Sequence, residues 1–331
     1  MQRQQLIQSW LNTLFPQLSP VLTPASADAS FRRYFRATLS NGDHYIVMDA
    51  PPQYEDCKPF IQVATLFANA GVNVPQVLHQ DLVQGFLLLT DLGDTTYLSA
   101  LNVDNAHALY MDAVDALIQI QLASRTDILP VYDRAMLARE LQLFPDWYIA
   151  KHLNITLSDA QQQTLQKACY TLLDNNTAQP QVYVHRDYHS RNLMVTTPNP
   201  GILDFQDAVY GPITYDLVSL FKDAYITWDE EVTLDWVIRY WEKARKAGLP
   251  VATDFGEFYR DFEWMGLQRH LKVLGIFARL YHRDGKDSYL KDLPMVLAYV
   301  QRTAGRYREF GPLMQLLDEL HEVQTDVKFS F

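Results

Sequence analysis

His185-Arg186-Asp187-Tyr188-His189-Ser190-Arg191-Asn192 is the stretch on which the reading of this chain turns. It contains H-R-D-x-x-x-x-N, with Asp187 and Asn192 five positions apart. The apolar run Leu193-Met194-Val195 follows, and Asp204 stands 17 positions after Asp187, at the end of Gly201-Ile202-Leu203. Between the two runs, Thr197-Pro198-Asn199-Pro200-Gly201 supplies turn chemistry. A hairpin of 193–195 with 201–203 would bring Asn192 and Asp204 to one end of a ladder. Phosphoryl transfer calls for such a set. One carboxylate takes or orients the proton of an attacking hydroxyl, while an amide and a second carboxylate hold Mg²⁺ on nucleotide phosphates.

Upstream of this unit the texture is different. Residues 31–39 and 44–50 read as strands joined by Asn41-Gly42, a strong hairpin signal. Residues 59–69 read as a helix, with Pro59 in its first turn and Gly71 just past its end. Gly85–Thr90 is a short apolar strand, and Met1–Phe15 an amphipathic helix without the features of a signal peptide. After Asp91-Leu92-Gly93-Asp94, residues 104–122, 133–152 and 158–173 read as helices. Three short strand-like runs, 182–185, 193–195 and 201–203, follow, and everything beyond Tyr215 reads as helix. The predicted class is therefore α+β with two lobes: a small β-rich N-lobe (1–91) and a large, mainly helical C-lobe (92–331) carrying the loop-and-strand unit. Asp254-Phe255-Gly256 spells a kinase metal motif, but no strand precedes it and a long helical pattern follows, so Asp254 is expected to cap a helix.

Bulk properties bound the function. A chain of 331 residues with 48% hydrophobic and 20% charged residues has ordinary globular composition. No apolar run approaches the roughly 18 residues of a membrane helix, so no membrane partner is expected and the cytoplasm is the default location. The formal charge of −11 argues against a nucleic-acid partner. Cys57 and Cys169 lack metal-binding or C-x-x-C spacing and are expected to be free thiols. The chain is read as a monomer.

V-H-R-D-Y-H-S-R-N-L with L-D-F-Q-D resembles the aminoglycoside phosphotransferase and choline kinase group, whose fold is protein-kinase-like. Residues 28–36 (DASFRRYFR), Met48-Asp49-Ala50-Pro51-Pro52, Thr90-Asp91-Leu92-Gly93-Asp94 and Phe262–Leu280 look like the bacterial N-acetylmuramate/N-acetylglucosamine kinases within it. The resemblance spans essentially the whole chain. It implies ATP- and Mg²⁺-dependent phosphorylation of the anomeric hydroxyl of free cell-wall amino sugars, a small-molecule sugar being the partner. It further implies Asp187 as catalytic base, Asn192 and Asp204 as metal ligands, and Ser30 and Phe31 in the loop over the phosphates. Thr90, Asp91 and Leu92 would offer backbone groups to adenine, and Asp216 would brace the catalytic loop.

Two departures from the kinase pattern bear on cofactor binding. The third strand ends in Met48 where protein kinases carry a Lys, and residues 59–69 hold no Glu to pair with one. Both partners are missing together, which strands no charge. Arg32, Arg33 and Arg36 are the candidates to meet phosphate instead. Strand alternation sends Arg32 and Arg36 one way and Arg33 the other, and leaves open which face meets ATP. The phosphate loop also lacks G-x-G-x-x-G. On the acceptor side the candidates are His189, Arg191, Tyr225, Trp228, Glu263, Trp264, Arg269, His270 and Arg283, with Arg favoured for a carboxylate because its fork binds both oxygens. The competing readings are a kinase for another hydroxyl, of aminoglycoside, choline or homoserine type, and a nucleotide-binding pseudokinase suggested by Met48.

Overall fold

The computed structural model describes residues 2–26 and 31–328. In chain order it comprises α1 (Gln2–Leu14), β1 (Val21–Ser26), β2 (Arg33–Thr38), β3 (His44–Asp49), α2 (Lys58–Asn69), β4 (Val77–Asp81), β5 (Phe86–Thr90), α3 (Tyr97–Ala100), α4 (Ala106–Leu122) and α5 (Arg134–Leu141). A π-helical segment (Phe144–His152), α6 (Asp159–Ala178), β6 (Gln181–Val184), β7 (Leu193–Met194), β8 (Gly201–Ile202), β9 (Val209–Pro212), α7 (Tyr215–Phe221), α8 (Glu230–Ala247) and α9 (Phe255–Asp284) follow. Beyond a 3₁₀ segment (Asp287–Asp292) come α10 (Leu293–Arg306) and, after Arg308–Phe310, α11 (Gly311–Lys328). No described helix is long and apolar enough to cross a membrane. Both cysteines are free thiols.

The chain packs as two compact units, Met1–Leu101 with Arg191–Asp207, and Asn102–Ser190 with Ala208–Phe331. The expected lobes followed chain order with one boundary after residue 91. By packing, residues 92–101 and the excursion 191–207 count with the first unit.

In the first unit five antiparallel strands run in the order β1-β2-β3-β5-β4. Asn41-Gly42 turns the β2–β3 hairpin, and Gly42 takes φ +92°, a conformation that disfavours a side chain. Strand alternation then sorts the side chains. Phe35, Ala37, Val47, Phe86 and Leu88 point to one face and pack on Ile7 and Leu11 of α1. Burying each of the larger side chains among them contributes roughly 1.5–3 kcal/mol. Tyr34, Arg36, Ile46 and Leu89 point to the opposite face, which a cleft occupies. α2 carries Pro59 in its first turn and ends before Gly71 (φ +88°), burying Phe60, Val63, Ala64 and Phe67. β7 and β8 form the expected hairpin, Leu193 facing Ile202 and Met194 facing Gly201.

The second unit is mainly helical. Its β6 pairs with β9, from Gln181 opposite Pro212 to Val184 opposite Val209, and delivers the chain to His185. The 30-residue α9 runs buried from Phe262 to Ala278 for most of its length. Asp254 caps it by accepting a hydrogen bond from the Glu257 N–H (2.9 Å), as expected from the sequence. The helix expected over 133–152 is two elements. Pro145 has no N–H to give the Leu141 carbonyl, so the α-ladder stops and a π-helical segment takes over.

Candidate active site

The catalytic-loop candidate is held from below by two buried carboxylates. Asp216, in the first turn of α7, accepts the main-chain N–H groups of His185 (2.6 Å) and Arg186 (3.0 Å). Asp223, just past the end of α7, accepts from the Ser190 N–H (3.0 Å) and hydroxyl (2.5 Å). Tyr188 donates its hydroxyl to the Ala113 carbonyl (2.8 Å), tying the middle of the loop to α4. Arg186 sits at φ +78°, a region costly for a residue with a side chain. Its guanidinium reaches Glu140 (2.6 Å) and covers the Tyr132 ring, so the conformation is over-determined. Glu140 also takes Lys272 (3.0 Å), whose ammonium donates to the Tyr215 hydroxyl (2.9 Å).

Asp187 rises from this scaffold partly exposed. Burial alone would raise its carboxyl. The charges of Lys272, His189, Arg269 and His185 outweigh burial and hold the carboxyl below its ordinary range, so it is ionised at neutral pH. Asp216 shows the opposite balance. Burial pushes it up to about 7, despite the two N–H groups and Arg269, with the charge of Asp187 adding to the rise.

The metal-ligand candidates belong to the other unit. The Leu203 N–H bonds the Asn192 carbonyl (2.9 Å), which closes the β7–β8 ladder and sets Asn192 opposite Asp204. The Asn192 amide lies 3.4 Å from Asp204 Oδ2, and Gln206 donates to Oδ1 (2.8 Å). Asp204 takes φ +61°, a second strained non-glycine position. Asn192, Asp204 and Arg191 line a cleft of about 280 Å³, together with Thr90, Asp91, Leu92, Ile46, Leu89, Met194, Leu203 and Phe205. The cleft thus has apolar walls and a polar end, and all its lining residues belong to the first unit. Gly201 lies under it; a Cβ there would stand 2.9 Å from a Leu92 methyl.

The phosphate-side candidates are placed unevenly. Arg36 faces the cleft, but its guanidinium is bound by Asp91 (2.5 and 3.1 Å) and Asp94 (2.5 Å). Arg33, on the opposite face, joins Arg3 on the buried Asp49. Arg32 lies 3.6 Å from Glu55. Met48 is fully buried between Tyr34 and Leu87 in the sheet register, outside the cleft lining. Phe31 is 62% exposed and stacks on Tyr54. Ser30 lies outside the described residues.

The acceptor-side candidates separate into groups. Arg191 lines the cleft, in the first unit. His189 and Tyr225 meet edge to face (5.3 Å between centroids), beside Asp187 in the case of His189. Glu263 is consumed by an internal network with Lys222 (3.1 Å), Arg306 (2.7 Å) and the Tyr307 hydroxyl (2.9 Å). Trp228 donates to the Tyr110 hydroxyl (2.9 Å) within a Tyr110–Trp228–Trp236 cluster. Trp264 packs edge-on against Tyr307 and Phe310. His270 is buried, donates from Nε2 to the Lys222 carbonyl (2.9 Å) and stacks on Tyr299; burial pushes it down to about 3. Arg283 is exposed and paired with the adjacent Asp284 (2.7 Å). Arg269 is buried.

Sequence reasoning missed Asp223, Lys272 and the apolar cleft wall. Ile46 and Leu89 were within reach, because alternation on β3 and β5 assigns them to the face opposite α1. Asp223 and Lys272 act through distance in sequence, with no local signal.

Comparison with known proteins bears on the family and the fold. A family model described as phosphotransferase enzyme family matches residues 21–252. The chain is 54% identical to an N-acetylmuramate/N-acetylglucosamine kinase of Neisseria meningitidis, over 99% of this chain and 100% of that one. It is 49% identical to a kinase of the same name from Pseudomonas aeruginosa, over 96% and 97% of the two chains. Among solved structures, an ADP-bound aminoglycoside phosphotransferase superposes with TM-score 0.58 at 16% identity, covering 88% of this chain and 96% of that one. A choline/ethanolamine kinase family protein from Mesorhizobium loti superposes at 0.61 and 15%, covering 95% and 98%. The α+β, protein-kinase-like fold expected from the sequence is the fold found.

Proposed function

The chain belongs to the phosphotransferase enzyme family, and we propose that it transfers the γ-phosphoryl group of ATP to the anomeric hydroxyl of N-acetylmuramate and N-acetylglucosamine. The observation that carries this reading is the 54% identity, over almost the entire chain, to an enzyme of that name. The site supports the chemistry. An ionised Asp187 is suited to accept the proton of the sugar's C1 hydroxyl as its oxygen attacks phosphorus. The loop below it is fixed by Asp216 and Asp223, so the carboxylate is held before substrate arrives. The apolar walls of the cleft suit a purine, and the Asn192–Asp204 end suits phosphates.

One carboxylate and one amide fit Mg²⁺, a hard cation bound through oxygen donors, and Asp204 and Asn192 would hold it. When bound there, Mg²⁺ would neutralise charge on the phosphates. Gln206, hydrogen-bonded to Asp204, would orient that carboxylate. The arginines nearest the sheet are already matched to carboxylates: Arg36 keeps the strand end and Asp91 together, and Arg33 serves Asp49.

The test is product formation from ATP across N-acetylmuramate, N-acetylglucosamine, glucose, kanamycin and choline. Acid-labile sugar phosphate is expected from the two N-acetyl amino sugars. Asp187→Asn should lower kcat by about 10²–10⁴-fold while ATP still binds. Turnover of kanamycin or choline in place of the sugars would overturn the substrate assignment. An Asp187→Asn enzyme of undiminished rate would overturn the assigned base.

A further inference from the structure

We propose that Glu140 is a positioning residue for the proton-accepting carboxylate: acting through Arg186, it sets where Asp187 stands. This rests on the function proposed above, with Asp187 as base, and extends the machinery 46 positions back along the chain from Arg186, into α5.

Glu140 lies where local rules disfavour a carboxylate. It is in the last turn of α5, at the negative end of the helix dipole, and it is 8% exposed. Its partners come from other parts of the same unit. Oε1 accepts from Arg186 Nη2 of the catalytic loop (2.6 Å) and stands 3.0 Å from the Lys272 ammonium of α9. Oε2 accepts the Tyr132 hydroxyl. Burial would raise the Glu140 carboxyl, but the charges of Lys272 and Arg186 outweigh it, so the group stays ionised. A buried ion cluster is poor evidence of a stabilising device, because well-packed apolar side chains often serve a fold as well or better.

The backbone shows what the cluster does for the loop. Arg186 takes φ +78°, a conformation that a residue with a side chain adopts at a cost. Asp216 accepts the N–H groups of His185 and Arg186, which fixes the chain as far as the Arg186 nitrogen. Rotation about the next bond, Arg186 N–Cα, lies beyond that brace. It swings the Arg186 side chain and Asp187 together, so relaxation to an ordinary negative φ would carry both from their places. The guanidinium, bonded to Glu140 and lying over the Tyr132 ring (5.4 Å to its centroid), opposes that rotation. The Asp187 N–H, 3.2 Å from His185 Nδ1, closes the turn. Strained residues persist where the surrounding structure over-determines them, and they cluster at functional sites. Here the anchor that holds the strain ends on Glu140, one residue away from the base. A displacement of about 1 Å at a reacting group can cost about 10²-fold in rate.

The experiment measures kcat and KM for both amino sugars at saturating Mg·ATP, below each variant's unfolding midpoint, in Glu140→Gln, Glu140→Asp and Arg186→Met. Each variant is made with Asp187 present and with Asp187→Asn. Glu140→Gln and Arg186→Met should each lower kcat about 10- to 100-fold and leave KM within about threefold of wild type. Combining the two should cost no more than the worse single change, since they break one contact. In the Asp187→Asn background each should change kcat by less than about threefold, because a group that acts through the base then has nothing to act on. If Glu140→Gln does not fold, the other two variants decide. Glu140→Asp keeps the charge beside Lys272 and withdraws it from Arg186, and Arg186→Met leaves Glu140 paired with Lys272; both should show the kcat loss. A kcat within about threefold of wild type in the folded variants would overturn the proposal. So would the same loss with and without the Asp187 carboxylate, or a loss confined to KM. Wild type that phosphorylates neither sugar would instead overturn the proposed function.

Discussion

Asp216 and Asp187 are two carboxylates at one loop, and their surroundings drive them apart. Asp216 is buried, with its carboxyl pushed from 3.8 up to about 7; Asp187 is held below 3.8 by the cations around it. The signs for stability follow. The folded-state value of Asp216 lies above its unfolded value, so its contribution is complete below pH 3.8 and is lost as pH rises through 7. For Asp187 the contribution is present above 3.8 and lost as pH falls further. Asp216→Asn removes the first titration. The stability advantage of wild type over that variant should shrink by about 2 kcal/mol between pH 5 and pH 7, at 1.4 kcal/mol per unit of differential protonation. Urea unfolding at the two pH values measures it, and a difference that stays constant would show that Asp216 does not titrate in that window. At this scale the sequence was legible where spacing alone sets geometry. Asp187, Asn192 and Asp204 lie within one loop and one hairpin, so their relation is local. The groups that tune Asp187 are not local. Lys272 and Arg269 come from α9, more than 80 positions on, and no periodicity marks a buried helical cation as a neighbour of a distant loop.

Elements were legible when their ends carried signals. The β2–β3 hairpin, α2 and the α9 start were announced by Asn41-Gly42, Pro59 with Gly71, and Asp254. Three strands carried no such signal. β1 contains Pro24, tolerable because β1 is an edge strand; β4 is broken by an irregularity between Val77 and His79; β9 is Val-Tyr-Gly-Pro. The Asp254-Phe255-Gly256 triplet shows why an element must decide a motif. At the start of a helix Asp254 accepts the Glu257 N–H, which is capping chemistry. Asp254→Ala should therefore lower stability by about 1 kcal/mol and leave kcat and its Mg²⁺ dependence unchanged. A variant that folds normally but loses turnover would return the triplet to candidacy. Gly42 makes a comparable point at the hairpin. A Cβ there meets nothing within 4 Å, so any effect of Gly42→Ala comes from φ +92° alone. About 1–2 kcal/mol of destabilisation is expected in thermal unfolding, and an indifferent variant would mean that the turn relaxes.

For the whole molecule, the informative feature is the excursion of residues 191–207 out of the helical unit and into the β-rich one. A boundary drawn along the chain cannot express it, since contacts far apart in sequence decide which unit a segment joins. Its consequence is that every residue lining the 280 Å³ cleft, including Asn192 and Asp204, belongs to one unit. Nucleotide and metal binding should therefore be separable from proton transfer at Asp187. Ligand at 100 times its Kd stabilises a folded protein by about 2.7 kcal/mol, so ATP should raise the Tm of wild type and of Asp187→Asn alike. On the proposed function Asp204 and Asn192 would hold Mg²⁺ and the metal would add affinity for ATP, so Mg²⁺ should raise the ATP-induced shift further in both. In Asp204→Asn the increment from Mg²⁺ should vanish while the shift from ATP in EDTA persists. An Mg²⁺ increment that survives in Asp204→Asn and in Asn192→Ala would mean that the metal is held elsewhere. An ATP shift lost with Asp187→Asn would mean that nucleotide binding and the base are not independent.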